Sequence, residues 1–152
     1  MYGTAHQGGA AGNGVVFKLK TDGSAFAVVH SFSPRGLATP DNTNADGASP
    51  RELMIRDRRV FGLTSDGGGK AGGTVFSFAQ NGNDFGVIHN FDGKAGGNPS
   101  SALAGSGKVL YGALHHGGVS GGGSIFKLKT DGTGFEVLHS FAAKPLPGWM
   151  TD

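Results

Sequence analysis

A pattern of about thirty residues occurs three times in this chain and restricts the fold more than any other feature of the sequence. The copies align without gaps and begin at Tyr2, Phe61 and Tyr111, each followed by glycine. The first unit carries an insertion within residues 33–49. Other matched positions hold a phenylalanine (Phe17, Phe76, Phe126) and a histidine (His30, His89, His139).

Each unit reads as four short strands joined by glycine-rich turns, with no helical period. The best-defined strand is residues 135–141 (FEVLHSF), in which alternation predicts that Phe135, Val137, His139 and Phe141 share one face. Tandem four-stranded antiparallel units of this length are typical of propeller blades. The sequence therefore predicts an all-β protein, a partial β-propeller whose repeats span about 1–60, 61–110 and 111–152.

The number of units leaves three interpretations open. Propeller rings need roughly 4–8 blades, whereas this chain holds two full units and most of another. The chain is then part of a longer repeat protein, or a homo-oligomer in which two chains give six blades, or a β-trefoil-like three-repeat domain. The 30 glycines would indicate disorder if they had no period. Their fixed spacing indicates turns instead.

Several segments together resemble a known repeat family. They are residues 121–132 (GGGSIFKLKTDG), 135–141 (FEVLHSF) and 46–50 (DGASP). The composite is similar to the GloVer-type (Gloeobacter/Verrucomicrobia) tandem repeat and covers nearly the whole chain. The resemblance implies a bacterial, exported, extracellular or cell-surface repeat protein. It implies no set of catalytic residues. No signal peptide is visible in this chain.

Composition excludes several classes of protein. There is no cysteine, so disulfide frameworks and thiolate metal sites are absent. No apolar run is long enough to predict a membrane-spanning helix. The formal net charge is +2, and the densest basic run, residues 56–59 (RDRR), is too short to predict a nucleic-acid surface.

The repeated histidines, His30, His89 and His139, invite interpretation as metal ligands or acid–base groups because imidazole titrates near neutral pH. Each, however, occupies the same place in its unit, beside valine and phenylalanine. A catalytic group is needed once, whereas a packing requirement recurs in every unit. We therefore interpret these histidines, like the repeated phenylalanines, as structural.

Ligand-binding candidates stand where the units differ, in the loop between the second and third strands. This loop and the insertion should leave the sheets at the same end, where a rigid scaffold usually carries binding residues. The candidates are His6, Gln7, Ser65, Asp66, His115 and His116. The adjacent histidines also suggest a divalent metal such as zinc.

The insertion contains the start of a calcium-loop pattern, in which oxygen ligands alternate and a glycine follows. The candidate ligands are Asn42, Asn44 and Asp46, with Gly47 next. The match fails at the first position, which is Asn, and at the twelfth, which is Leu53. No other cofactor is predicted.

These observations predict a non-catalytic binding or structural module that presents variable loops to a polysaccharide or protein. The alternative is a carbohydrate-active hydrolase or lyase that uses loop histidine and aspartate residues on one face. Enzyme signatures are few: the only glutamates are Glu52 and Glu136, in inequivalent places, and neither a nucleophile elbow nor a phosphate loop occurs.

Overall fold

The computed structural model describes residues 1–36, 43–93 and 95–143. All regular secondary structure in these ranges is β-strand, arranged as three antiparallel sheets, which confirms the all-β prediction. No helix among these residues has the length and apolarity that a membrane crossing requires.

The strands follow chain order. Sheet 1 contains β1 (Tyr2–Ala5), β2 (Val15–Lys18) and β3 (Ala27–Ser31). Sheet 2 contains β4 (Ala48–Arg56), β5 (Arg59–Asp66), β6 (Thr74–Ala79) and β7 (Gly86–Asn90). Sheet 3 contains β8 (Gly97–Pro99), β9 (Ala104–Ser106), β10 (Val109–His116), β11 (Ser124–Lys129) and β12 (Glu136–Ser140).

Each sheet is built from consecutive strands, and none closes into a barrel. The strand order is β1-β2-β3 in sheet 1 and β4-β5-β6-β7 in sheet 2. In sheet 3, β8 and β9 both pair with β10, which is followed by β11 and β12. A β-trefoil would require a closed barrel shared by the three units, so the described strands argue against that alternative.

A glycine faces a phenylalanine at the same register in every sheet, which explains the repeated aromatic–glycine dipeptide. Gly62 pairs with Phe76 and Gly112 with Phe126. A Cβ atom at Gly62 would lie 2.3 Å from the tip of the Phe76 ring. Glycine is therefore required where the ring crosses the neighbouring strand.

The apolar core lies between successive sheets. Val16 and Phe32 of the sheet 1 unit form one buried cluster with Val60, Phe76 and Phe78 of sheet 2. A second cluster joins the units of sheets 2 and 3, and it contains Phe61, Leu63, Val75, Phe91, Leu103, Leu110, Leu114, Phe126 and Leu128. Each sheet is thus stabilised by burial against the next.

The predicted alternation in the last strand of each unit is wrong. Ile125 pairs with His139 but Phe126 pairs with Val137, so Leu138 is an extra residue in a β-bulge. Phe135 packs on Phe126, 5.7 Å away, and also contacts the preceding sheet. An extra residue reverses the alternation of side chains, so Phe135 and His139 face different neighbours. The same register shift occurs in sheets 1 and 2.

Candidate functional site

The loops that differ between units meet the connections between sheets at one end of the structure. Asn44, before β4, accepts hydrogen bonds through Oδ1 from the amides of Gly47 and Gly68, at 3.0 and 2.8 Å. In sheet 3, His116 pairs with Gly97 across β10 and β8. We call this end, with residues 6–14, 33–36, 43–49, 65–73, 92–98 (except 94) and 115–123, the loop face.

On the loop face, Asp46 connects sheet 1 to the start of sheet 2. Its carboxylate oxygen Oδ2 lies 2.7 Å from Nε2 of His30, and the amide of Ser33 donates to it at 3.1 Å. The Ser33 hydroxyl also donates to this carboxylate. Because a carboxylate only accepts, His30 carries its proton on Nε2. The pair is largely sheltered from solvent, so these contacts fix the connection.

The two described oxygen ligands of the predicted calcium loop are already used inside the protein. Asp46 binds His30 and Ser33, and the Asn44 amide nitrogen donates to the carbonyls of Ser33 and Gly47. These contacts favour a structural role for both side chains. Asn42 lies outside the described residues. Among the described residues, no group of three His, Asp or Glu side chains is close enough to hold a metal ion.

The corresponding place between sheets 2 and 3 lacks the carboxylate. Ala95 stands where Asp46 stands in the first connection, and their carbonyls are held alike: Ser124 Oγ donates to Ala95 O at 3.1 Å, and Thr74 Oγ1 donates to Asp46 O at 3.2 Å. Among the described residues, the position opposite His89, the counterpart of His30, is therefore held by Ala95 in place of a carboxylate.

A cavity of 210 Å³ opens at this position. Its walls are formed by groups of the second unit, by the segment that leads into sheet 3 and by the phenylalanine that precedes β12: His89, Asn90, Phe91, Asp92, Ala95, Gly96 and Phe135. Polar groups beside an aromatic wall suit a ligand that carries both hydroxyl groups and apolar carbon.

His89 is half-buried beside this cavity. Its burial lowers the pKa of the imidazole, and the charge of Lys70 lowers it further, while the nearby Asp92 carboxylate raises it. The net pKa lies below the usual value because desolvation disfavours the charged ring. His89 therefore tends to be neutral near pH 7, with one ring nitrogen free to accept a hydrogen bond.

The loop residues predicted as ligand contacts occupy different environments. His6 and Gln7 are exposed after β1, and His115 and His116 are exposed at the end of β10. Nδ1 of His115 lies 3.0 Å from Nε2 of His116. In the part of the chain that the structure describes, no hydrogen bond joins the loop pair of one unit to that of another.

The second loop pair, Ser65 and Asp66, is engaged by its own surroundings. Ser65 is buried, and its hydroxyl donates to Asp66 Oδ2 at 3.0 Å. Asp66 also forms an ion pair with Arg35 of the insertion, at 3.6 Å. These contacts connect the insertion to sheet 2, and Ser65 has little surface left for a ligand.

Comparison with family models decides the classification. The model of the Gloeobacter/Verrucomicrobia repeat matches residues 1–148. The chain belongs to the Gloeobacter/Verrucomicrobia repeat family. A search among curated proteins found no match.

In this Gloeobacter/Verrucomicrobia repeat protein, the cavity beside His89 was not predicted from the sequence. A signal was nevertheless present, because the segments 46–50 (DGASP) and 95–99 (AGGNP) align with each other and differ at the position of Asp46 and Ala95. The pairing of His30 with Asp46 could not be read from that difference, since it depends on how two sheets meet.

Proposed function

We propose that this Gloeobacter/Verrucomicrobia repeat protein is a non-catalytic binding module made of propeller-type blades. Sheets 1, 2 and 3 correspond to three successive blades, and their apolar faces form a scaffold. The loop face carries the side chains that differ between blades. Such a division between a constant scaffold and variable loops is common in binding proteins.

The cavity between the second and third blades is the observation that carries this proposal. It occurs where Ala95 replaces Asp46, whose carboxylate contacts His30 and Ser33 at the first junction. Its volume suits one sugar ring of a longer chain, with neighbouring residues of that chain resting on the loop face. Polysaccharide is therefore the ligand class that we propose.

The polar groups of the cavity match this ligand. Neutral His89, Asn90 and Asp92 offer hydrogen-bond donors and acceptors for hydroxyl groups, and Phe135 gives an apolar wall. A location outside the bacterial cell, where polysaccharides are abundant, agrees with the resemblance described above and belongs to the same proposal.

The experiment is a binding screen of the chain against a polysaccharide panel, followed by calorimetry with the best ligand. The variant Ala95→Asp places a carboxylate in the cavity, as Asp46 does at the other junction, and should weaken binding by about tenfold or more. The matched control Ala102→Asp adds the same charge at an exposed position outside the cavity and should bind normally.

The outcomes separate the binding module from its alternatives. Binding without turnover, lost in Ala95→Asp only, supports the proposal. Cleavage of a polysaccharide would instead support the hydrolase or lyase alternative. Absence of binding across the panel, or equal binding by both variants, would contradict the role assigned to the cavity.

A further inference from the structure

The junctions between blades bury the same positions twice within this chain. On the side facing the next blade, Val16 and Val75 are 0% exposed, and Phe32 and Phe91 are at most 2% exposed. On the side facing the preceding blade, Val60 and Leu110 are 0% exposed. Each junction therefore joins a trailing face of one blade to a leading face of the next.

The trailing face of the third blade carries the same residue types but is not covered by any of the described residues. Ile125, which aligns with Val16 and Val75, is 36% exposed, and Phe141, which aligns with Phe32 and Phe91, is 44% exposed. Leu138 is 45% exposed, and His139 is also exposed. This face has the composition of a junction that lacks its second half.

The leading face of the first blade is uncovered in the same way. Met1 and Phe26 are each 62% exposed. Met1 aligns with Val60 and Leu110. Phe26 aligns with Phe85 and Phe135, the phenylalanines on which His30 and His89 stack. Among the described residues, therefore, no histidine stacks on Phe26, and His139 has an edge contact with Phe141 of its own blade but no phenylalanine stacked on its ring face.

Polar groups of the trailing and leading faces are complementary as well. At the first junction, Lys18 Nζ donates to the carbonyl of Asn81 at 3.1 Å, and the Tyr2 hydroxyl donates to the carbonyl of Gln80. The second junction has Phe61 at the position of Tyr2 and Ser77 at the position of Lys18, and so lacks these donors.

The third blade carries both side chains again at its trailing face, and Lys127 Nζ, which lies 2.8 Å from Glu136 Oε2 of its own blade, would exchange or share that ion pair on binding a second copy. Tyr111 aligns with Tyr2 and Lys127 with Lys18. The turn that would receive them is the turn of the first blade, Thr21 and Asp22, which aligns with Gln80 and Asn81. Asp22 is exposed in this turn, with its Oδ1 accepting hydrogen bonds from Ser24, so the turn also presents a carboxylate toward which Lys127 can point.

We propose that the trailing face of one copy binds the leading face of a second copy, with His139 stacked on Phe26. This rests on the proposed blade arrangement. A head-to-tail contact forms either a closed ring or an open fibre. Two copies supply six blades, a number within the range of known propeller rings, whereas three copies would supply nine. We therefore infer a closed dimer.

The test is the mass of the full chain in solution, measured by light scattering after size-exclusion chromatography. The unmodified chain should have twice its own mass of 15.4 kDa. Phe26→Asp, on the leading face, and Leu138→Asp, on the trailing face, should each halve the measured mass. Val119→Asp should remain dimeric, because Val119 is 95% exposed on a loop outside both faces.

Mixing the two monomeric variants is the decisive step. Each variant retains one intact face, so an equimolar mixture should again contain dimers, although weaker ones because only one of two contacts forms. Circular dichroism of each variant should match the unmodified chain, which shows that the substitutions do not prevent folding.

Other results overturn the proposal. A monomeric unmodified chain shows that the faces do not pair, and polymers of increasing mass show that the ring does not close. If only one face is sensitive to substitution, like faces pair with each other. If mixing does not restore dimers, the trailing face does not bind the leading face. The contact between His30 and Phe85 lies within one chain and does not depend on these results. A monomeric chain would therefore contradict the dimer but not the blade arrangement.

Discussion

The imidazole of His30 lies flat on the ring of Phe85, with centroids 3.5 Å apart and planes 7° from parallel. The two residues belong to different units, and the contact joins sheet 1 to sheet 2. His89 and Phe135 repeat it between sheets 2 and 3, with centroids 4.5 Å apart. The histidine that recurs in the sequence thus packs one unit against the next unit of the chain.

Asp46 fixes the first of these histidines, and its removal should destabilise the protein. In Asp46→Ala, the Nε2 proton of His30 and the amide of Ser33 lose their acceptor in a sheltered place. We expect the free energy of unfolding in urea to fall by about 1–3 kcal/mol.

The control for Asp46→Ala removes an exposed carboxylate. Glu52→Ala lies on the solvent side of β4 and should change stability by about 0.5 kcal/mol or less. Equal effects of the two substitutions would mean that Asp46 does not hold the connection.

His89 should make stability depend on pH. Burial lowers its pKa in the folded chain, so the unfolded chain binds more protons between that pKa and about 6.5. The free energy of unfolding should therefore fall as pH decreases through this window, and level off below the folded pKa. His89→Phe, which keeps a flat ring on Phe135, should reduce the slope. An unchanged slope would contradict the assignment.

Ala95→Asp should reverse the direction of this shift. The new carboxylate would stand opposite His89, as Asp46 stands opposite His30, and an opposite charge nearby favours the protonated ring. An NMR titration should then give a higher pKa for His89 in the variant than in the unmodified chain. A pKa that stays the same or falls would show that residue 95 does not face the imidazole.

Gly73 should tolerate no side chain. Its φ of +89° is rarely adopted by other residues, and a Cβ atom there would lie 2.2 Å from the carbonyl of Thr64 and 2.9 Å from Pro99 of the next sheet. We expect Gly73→Ala to cost about 2 kcal/mol or more in thermal or urea unfolding.

Gly86→Ala is the matched control for Gly73→Ala. Gly86 stands at the start of β7, has an ordinary φ, and has open space where a Cβ atom would lie. Its substitution should be nearly neutral. A loss of stability as large as that of Gly73→Ala would show that the close approach at Gly73 is not the cause.

The sequence was sufficient to predict an all-β chain of three repeated units, because the repeated glycines and phenylalanines pair with each other locally, as Gly62 does with Phe76. It was not sufficient to predict the bulge at Leu138, since an extra residue in a strand is defined only by the partner strand. The faces of Phe135 and His139 were therefore assigned wrongly.

The candidate site was only partly accessible from sequence for a related reason. The loop residues that differ between units could be found by aligning the units, but most contacts that define the site join residues of different sheets. The hydrogen bond between His30 and Asp46 and the cavity beside Ala95 are of this kind. The aligned segments 46–50 and 95–99 show which position differs between the two junctions, but the residues that this position contacts in another sheet have no local sequence signal.

The histidines of the first two units each pack on the phenylalanine of the following unit. Nuclear Overhauser effects between histidine and phenylalanine rings, recorded on selectively labelled protein, test this packing directly. We expect cross-peaks from His30 to Phe85 and from His89 to Phe135. Cross-peaks from these histidines to rings of their own units alone would contradict it.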